Sequence, residues 1–245
     1  MELRAPGLAA ALLLLAGCTT TVEAEPIVVK RLPNPSIYNA PANMEDLVYR
    51  ATQVTYRIKC FGSSGTGVGI TSTRNGVKTS FIVTNHHVVA DCLDGKEITV
   101  TDSYSYQFTA EVIASKLIEG SYETRTKAQD IALLKPNTET FQTIDDYSYA
   151  NPIGSWVMVA GYPRVSDAGP SLVVTTGIIS SKIEPLGFLT TAAINPGSSG
   201  SMVMNSRGEV IGFVYAGHDE NVLNDAGMFL PLSRLAELLN EIQEN

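Results

Sequence analysis

The feature that most constrains this chain is a succession of short apolar runs, each a few residues long and most bounded by Gly, Pro, Asn or Ser. In "VTYRIKCF" the residues Val54, Tyr56, Ile58 and Cys60 alternate with Thr55, Arg57 and Lys59, the period of a half-buried strand. "GVGITSTRNGVKTSFIVTN" reads as two strands joined at Asn75-Gly76, a pair suited to a two-residue hairpin turn. Further strands are expected in "EITVT", "YQFTAEVIA", "DIALLKP", "WVMVAGYP", "LVVTTGIISSKI", "FLTTAA", "GSMVMN", "EVIGFVYAG" and "MFLPL". About a dozen short strands at this spacing predict an all-β fold of barrels or sandwiches. One helix is expected at the end of the chain, where Ser233 can cap a stripe of Leu235, Leu238, Leu239 and Ile242. The longest connection, about 137–151, separates two halves. With 44% apolar and 17% charged residues in 245, the chain can bury a sizeable core.

The first residues are expected to lie outside that fold. "LAAALLLLAGC" is too short to span a bilayer and has the form of a secretory signal core. Leu15-Ala16-Gly17-Cys18 resembles the lipobox of bacterial lipoproteins, which implies cleavage before Cys18 and acylation of that residue. The resulting division is a signal peptide at 1–17, a flexible tether rich in Pro, Thr, Ala and Asn at 18–47, and a folded domain at 48–245. An exported, lipid-anchored protein of the bacterial cell envelope follows, on the periplasmic or extracellular face of a membrane. Cys60 and Cys92 then remain as an even pair, either one disulfide or two buried thiols. Cys92 lies five residues after His87, so a bridge would staple that histidine's turn to inward-facing Cys60. No CxxC supports a zinc ribbon or a thioredoxin-type motif. A net charge of −8 argues against nucleic acid as a partner.

The candidate chemistry is sparse. Among three histidines, His86 and His87 stand together in "VTNHHVVADC" after an apolar strand, and His218 is alone. Asp130 opens "DIALLKP", and "INPGSSGS" carries Ser198, Ser199 and Ser201. Each taken singly fits a plain turn or strand end. In the order His, Asp, Ser they fit nucleophilic catalysis. A serine hydroxyl needs a neutral imidazole to take its proton, and the imidazole needs a carboxylate to fix its tautomer. The tetrahedral intermediate needs backbone N–H donors around its oxyanion. A glycine two residues before the nucleophile can turn its N–H inward without a side-chain clash. "GSSGTGVG" lacks the lysine and following helix of a phosphate-binding loop.

These motifs resemble the chymotrypsin-fold serine peptidases, with the nearest likeness to the bacterial HtrA/DegP-like and glutamyl-endopeptidase-like branches. "FIVTNHHVV" is similar to their histidine turn and selects His87. "QDIALLKP" is similar to the aspartate strand and selects Asp130, and "AINPGSSGSMV" to the serine loop. That places the nucleophile at Ser199 and the oxyanion donors at the N–H groups of Gly197 and Ser199. "GEVIGFVYAG" resembles the strand beside the specificity pocket and "GMFLPL" the closing strand, so the likeness spans about residues 48–243. It implies two six-stranded antiparallel β-barrels, about 48–140 and 150–232, with a C-terminal helix at 233–243. It implies a serine endopeptidase that acts on proteins or peptides through an acyl-enzyme, with no cofactor and no metal.

Departures from the family sharpen the reading. Ser198 stands where trypsin keeps an Asp that pairs with a freed N-terminus, so no trypsin-style zymogen activation is expected. The PDZ domain usual in HtrA relatives is not expected after the terminal helix. The pocket base is expected near Ala192 and Ala193, and its walls at Tyr215, Ala216, Gly217, Gly227 and Met228. No acid sits at the base position that selects Lys or Arg. Val214 replaces the histidine of glutamyl endopeptidases, so the lean is toward an apolar or small residue before the cut. "GHDENVLND" (Asp219, Glu220, Asp225) reads as a solvated loop without calcium-site spacing. Two rivals stand beside the peptidase: a catalytically silent trypsin-like binding module on the envelope, and an acyl hydrolase of esters. The latter would ordinarily carry a Gly-x-Ser-x-Gly elbow, which is absent.

Overall fold

The computed structural model describes residues 35–74, 76–121, 123–164, 171–217 and 226–244. The expected signal peptide, Cys18, the first part of the tether and most of the acidic loop, with His218, lie outside the described residues.

Twelve strands form two closed antiparallel barrels. The first contains β1 (Thr55–Cys60), β2 (Ser63–Arg74), β3 (Val77–Thr84), β4 (Ile98–Thr101), β5 (Gln107–Ile118) and β6 (Gln129–Pro136), in the order β1-β2-β3-β6-β5-β4. The second contains β7 (Trp156–Gly161), β8 (Val173–Ile183), β9 (Gly187–Thr190), β10 (Met202–Asn205), β11 (Val210–Gly217) and β12 (Gly227–Pro231), ordered β10-β11-β12-β9-β8-β7. Every expected strand is present. The β2–β3 hairpin pairs Arg74 with Val77, and Gly76 takes φ +78, in the region that favours glycine.

Three apolar clusters explain why several strands read as unbroken apolar runs. Ile58, Ile82, Ile98, Val100, Ala132 and Leu134 fill the first barrel, while Val157, Ile179, Val203, Ile211 and Phe229 fill the second. A third cluster lies between the barrels and joins Phe81, Val83, Ile131 and Leu133 to Met158, Met202, Phe213 and Leu230. The second half of β3 (81–84) and most of β6 therefore bury both faces, one into their own barrel and one into the joint.

The sequence reading missed two helices. Helix α1 (Met44–Val54) begins within the stretch expected as flexible tether, and a 3₁₀ turn at Pro35–Tyr38 precedes it. Asn43 Oδ1 accepts the Asp46 N–H at 3.3 Å, and Glu45 and Asp46 place negative charge in the first turn. Leu47, Ala51 and Val54 then pack into the inter-barrel cluster, and Val54 ends this helix rather than opening β1. The second is the single turn α2 (His86–Val89), which carries His87. The expected C-terminal helix is α3 (Ser233–Glu244), with Leu235 and Leu238 buried but Ile242 exposed. Arg234 Nε donates to the Ala128 carbonyl at 3.1 Å, which fastens α3 to the first barrel.

Cys60 and Cys92 form a disulfide inside the first barrel, with Cα atoms 6.0 Å apart. It ties the end of β1 to the 3₁₀ turn (Ala90–Cys92) directly after α2.

Candidate active site

His87 and Asp130 meet where β3 and β6 pair. Thr84, the last residue of β3, lies opposite Ala132, two residues beyond Asp130. Asn85 then turns the chain and donates its Nδ2–H to the Asp130 carbonyl at 2.7 Å. Asp130 is buried, and its two carboxylate oxygens divide between two groups of one residue. Oδ1 accepts the His87 backbone N–H at 3.1 Å, and Oδ2 lies 2.5 Å from His87 Nδ1. An ionised carboxylate only accepts hydrogen bonds, so the proton of the neutral ring sits on Nδ1. The Nε2 lone pair is then free. The His87 side chain remains about half exposed, at 45%. Its neighbour His86 turns to Ser115 instead, with Nδ1 2.7 Å from the hydroxyl.

The serine loop, residues 194–201, reaches the first barrel at β2, beside α2. Its backbone bonds to itself and to the first barrel. Ser198 N–H donates to the Asn195 carbonyl at 2.9 Å, and Ser198 Oγ accepts the Asn195 N–H at 3.2 Å. Ser199 C=O accepts the Thr66 N–H at 2.8 Å. A Cβ on Gly65 would lie 3.0 Å from that same carbonyl oxygen and 2.6 Å from Val88, the residue after His87. A Cβ on Gly200 would lie 2.0 Å from the Thr66 carbonyl oxygen and 2.9 Å from Thr84 Oγ1. The missing side chains at Gly65 and Gly200 thus let the serine loop settle against the strand end that leads to His87.

Gly197 has φ +95, and a Cβ there would stand 2.9 Å from Arg164 N and from Tyr162 O. Glycine is required on both counts. The Pro196 carbonyl accepts the Arg164 N–H at 2.7 Å. In a trans peptide the following N–H points the opposite way, so Gly197 N–H is turned away from Arg164. Among the described residues, neither Gly197 N–H nor Ser199 N–H donates to a protein acceptor. Two backbone donors without a protein partner are what an oxyanion hole needs. Burial pushes the nearby Tyr162 hydroxyl up to about 12, so it stays protonated and is no candidate base.

The residues expected as pocket walls lie on two neighbouring strands. Ala216 pairs with Met228 and Gly217 with Gly227, which puts Tyr215, Ala216 and Gly217 beside β12. Ala192 is buried, whereas Ala193 is exposed and its carbonyl accepts Thr175 Oγ1–H at 2.9 Å. Three contributors were not singled out from the sequence. Thr66 and Asn85 are buried polar residues with no motif of their own. Ile194 packs against the core of the second barrel, and a Cβ on Gly227 would meet its Cδ1 at 1.8 Å. A cavity of about 660 Å³ elsewhere is lined by Arg125, Lys182, Glu184 and Arg234 among others, and includes none of the expected site residues. Among the described residues no cluster of His, Cys, Asp and Glu could hold a metal ion.

Two barrels with a histidine–carboxylate pair on one and a serine loop on the other define a class, and the family comparison agrees. The trypsin-like peptidase domain family matches residues 65–213, more than half of the chain, and the chain belongs to that family. It is similar to a probable periplasmic serine endoprotease, DegP-like, from Pseudomonas putida strain F1. The two are 32% identical over 161 residues, covering 62% of this chain and 29% of the relative. A DegP-like relative from Chlamydia trachomatis is 34% identical over 146 residues, covering 54% and 25%. The chain thus spans about a quarter to a third of the length of these curated relatives. Among solved structures, a serine-to-alanine mutant of Rv3671c from M. tuberculosis H37Rv, in an inactive form, shares the fold. Its TM-score is 0.61 at 22% identity, over 87% of this chain and 96% of that one.

Proposed function

We propose that this chain is a serine endopeptidase of the bacterial cell envelope, held at a membrane by acylated Cys18, with His87, Asp130 and Ser199 as its catalytic triad. The observation that carries the reading is the engagement of both Asp130 carboxylate oxygens by His87. Asp130 takes the ring N–H and the backbone N–H of one residue, which leaves Nε2 as the acceptor on the side open to solvent. In the mechanism, Nε2 takes the Ser199 proton as Oγ attacks the peptide carbonyl. The oxyanion forms against the N–H groups of Gly197 and Ser199. His87 then returns the proton to the leaving amine, and water hydrolyses the acyl-enzyme by the reverse sequence. The DegP-like relatives, described as periplasmic, support the exported location.

The pocket supports cleavage after small aliphatic residues. Ile194 occupies the ground in front of Gly227 that a deep pocket would leave open. Ala193 brings no charge to the base, so Lys, Arg and Glu find no partner there. The test is a peptide-library digest by the wild type beside Ser199→Ala and Ile194→Ala. The wild type is expected to cut after Ala or Val and Ser199→Ala not to cut. Ile194→Ala is expected to gain Leu or Phe by about tenfold in relative kcat/KM, the scale set by removing apolar contacts in a pocket. Equal cleavage by Ser199→Ala refutes the triad, and an unchanged Ile194→Ala profile refutes the pocket.

A further inference from the structure

The geometry points to Thr66 as the positioning residue that sets the oxyanion hole from the opposite barrel. This inference rests on the reading of Gly197 and Ser199 given above. Thr66 lies on β2, fully buried, where β2 pairs with β1 opposite Arg57. A threonine hydroxyl has one proton to donate and two lone pairs to accept with. All three are engaged. Oγ1 donates to the Gly197 carbonyl at 3.1 Å, accepts the Tyr162 backbone N–H at 2.8 Å, and takes a longer contact from Ser201 Oγ at 3.4 Å. The Thr66 backbone completes the grip, since its N–H holds the Ser199 carbonyl at 2.8 Å and its own carbonyl accepts Thr84 Oγ1–H at 2.7 Å. One residue of the first barrel therefore holds the carbonyls of both residues whose N–H groups face the oxyanion.

The consequence is orientational. Gly197 has no side chain to resist rotation of the peptides on either side of it. The peptide before it is held by Arg164 N–H on the Pro196 carbonyl, and the peptide after it by the Thr66 hydroxyl. Tyr162 and Arg164 belong to one short segment, and Thr66 anchors that segment as well through Tyr162 N–H. Without the hydroxyl, the Gly197 carbonyl and the Tyr162 N–H lose their shared partner in a site closed to water. The Tyr162–Arg164 segment then shifts, and with it the Arg164 N–H that holds the Pro196 carbonyl, so the Pro196–Gly197 peptide turns and the Gly197 N–H is misaimed. Thr66 is fully buried and cannot touch a substrate in the cleft, so the loss falls on the transition state.

The test compares Thr66→Val, which keeps shape and removes the hydroxyl, with Thr66→Ser, which keeps the hydroxyl. In Thr66→Val, kcat is expected to fall about 10- to 100-fold with KM within threefold, as for partial loss of a preorganised donor. Thr66→Ser is expected to retain at least about a third of kcat, because the hydrogen-bond set is kept. A crystal structure of Thr66→Val is expected to show the Gly197 carbonyl turned from its present direction. Thr66→Ala takes its place in both measurements if the valine variant does not fold. A kcat within threefold of wild type, or a Gly197 peptide that keeps its orientation, overturns the proposal. An inert wild type would instead overturn the assignment of Ser199, and the orientation of Gly197 in the variant would still decide the role of Thr66.

Discussion

Replacing Asp130 by Asn gives a prediction whose sign follows from two contacts. Oδ1 accepts the His87 backbone N–H at 3.1 Å and Oδ2 faces His87 Nδ1 at 2.5 Å. An asparagine in the same rotamer offers one oxygen and one NH₂. The His87 backbone can only donate, so it claims the oxygen, and the NH₂ is left facing Nδ1. Nδ1 must then present its lone pair, which moves the ring proton to Nε2. An imidazole protonated at Nε2 cannot take a proton from Ser199. Flipping the amide would set NH₂ against a backbone N–H, and an unsatisfied buried donor costs about 1–3 kcal/mol. The wrong tautomer therefore dominates by about 5- to 150-fold; the lost carboxylate charge, which stabilises the imidazolium, adds to this, and kcat is expected to fall about 10⁴-fold in all, equivalent to about 5.5 kcal/mol. The assay is steady-state turnover of a chromogenic peptide, with thermal melting to confirm a native fold. A folded Asp130→Asn enzyme within tenfold of the wild type would refute the reasoning.

Other substitutions probe the serine loop and the barrel. Gly197→Ala must place a Cβ 2.9 Å from two backbone atoms at φ +95, so the loop shifts and kcat drops about 10²- to 10³-fold; turnover within threefold would contradict the oxyanion assignment. Ser198→Ala removes an acceptor for the Asn195 N–H and is expected to cost about 1 kcal/mol of stability while leaving activity within tenfold; complete loss would restore an activation role for that position. Removing the disulfide by Cys60→Ala with Cys92→Ala opens a 32-residue separation and is expected to lower unfolding free energy by about 3–4 kcal/mol in urea titration; a change under about 1 kcal/mol would show that the bridge constrains little.

The strands were legible because each announces itself twice, by alternation or an apolar run and by a turn residue at its end. The triad candidates were legible because the chemistry needs rare residues in a fixed order along the chain. Helix α1 was not read, although Met44, Leu47, Val48, Ala51 and Val54 recur at helical spacing. Its signal is overlaid at one end by the Pro-rich tether and at the other by the alternation of β1, which enlists Val54. Ile194 sits inside the quoted serine motif, yet its effect on the pocket depends on Gly227, 33 residues later and on another strand. Thr66 was invisible for the same reason. A threonine in a strand is ordinary, and its importance comes from hydrogen bonds to residues 96 and 131 positions away.

The most direct test of the central claim is covalent labelling of the folded protein by a fluorophosphonate, with the adduct mapped by mass spectrometry. A single adduct on Ser199 is expected, slowed in Asp130→Asn and kept in Ser198→Ala. An adduct on Ser198 or Ser201, or none on a protein shown to be folded, would contradict the account.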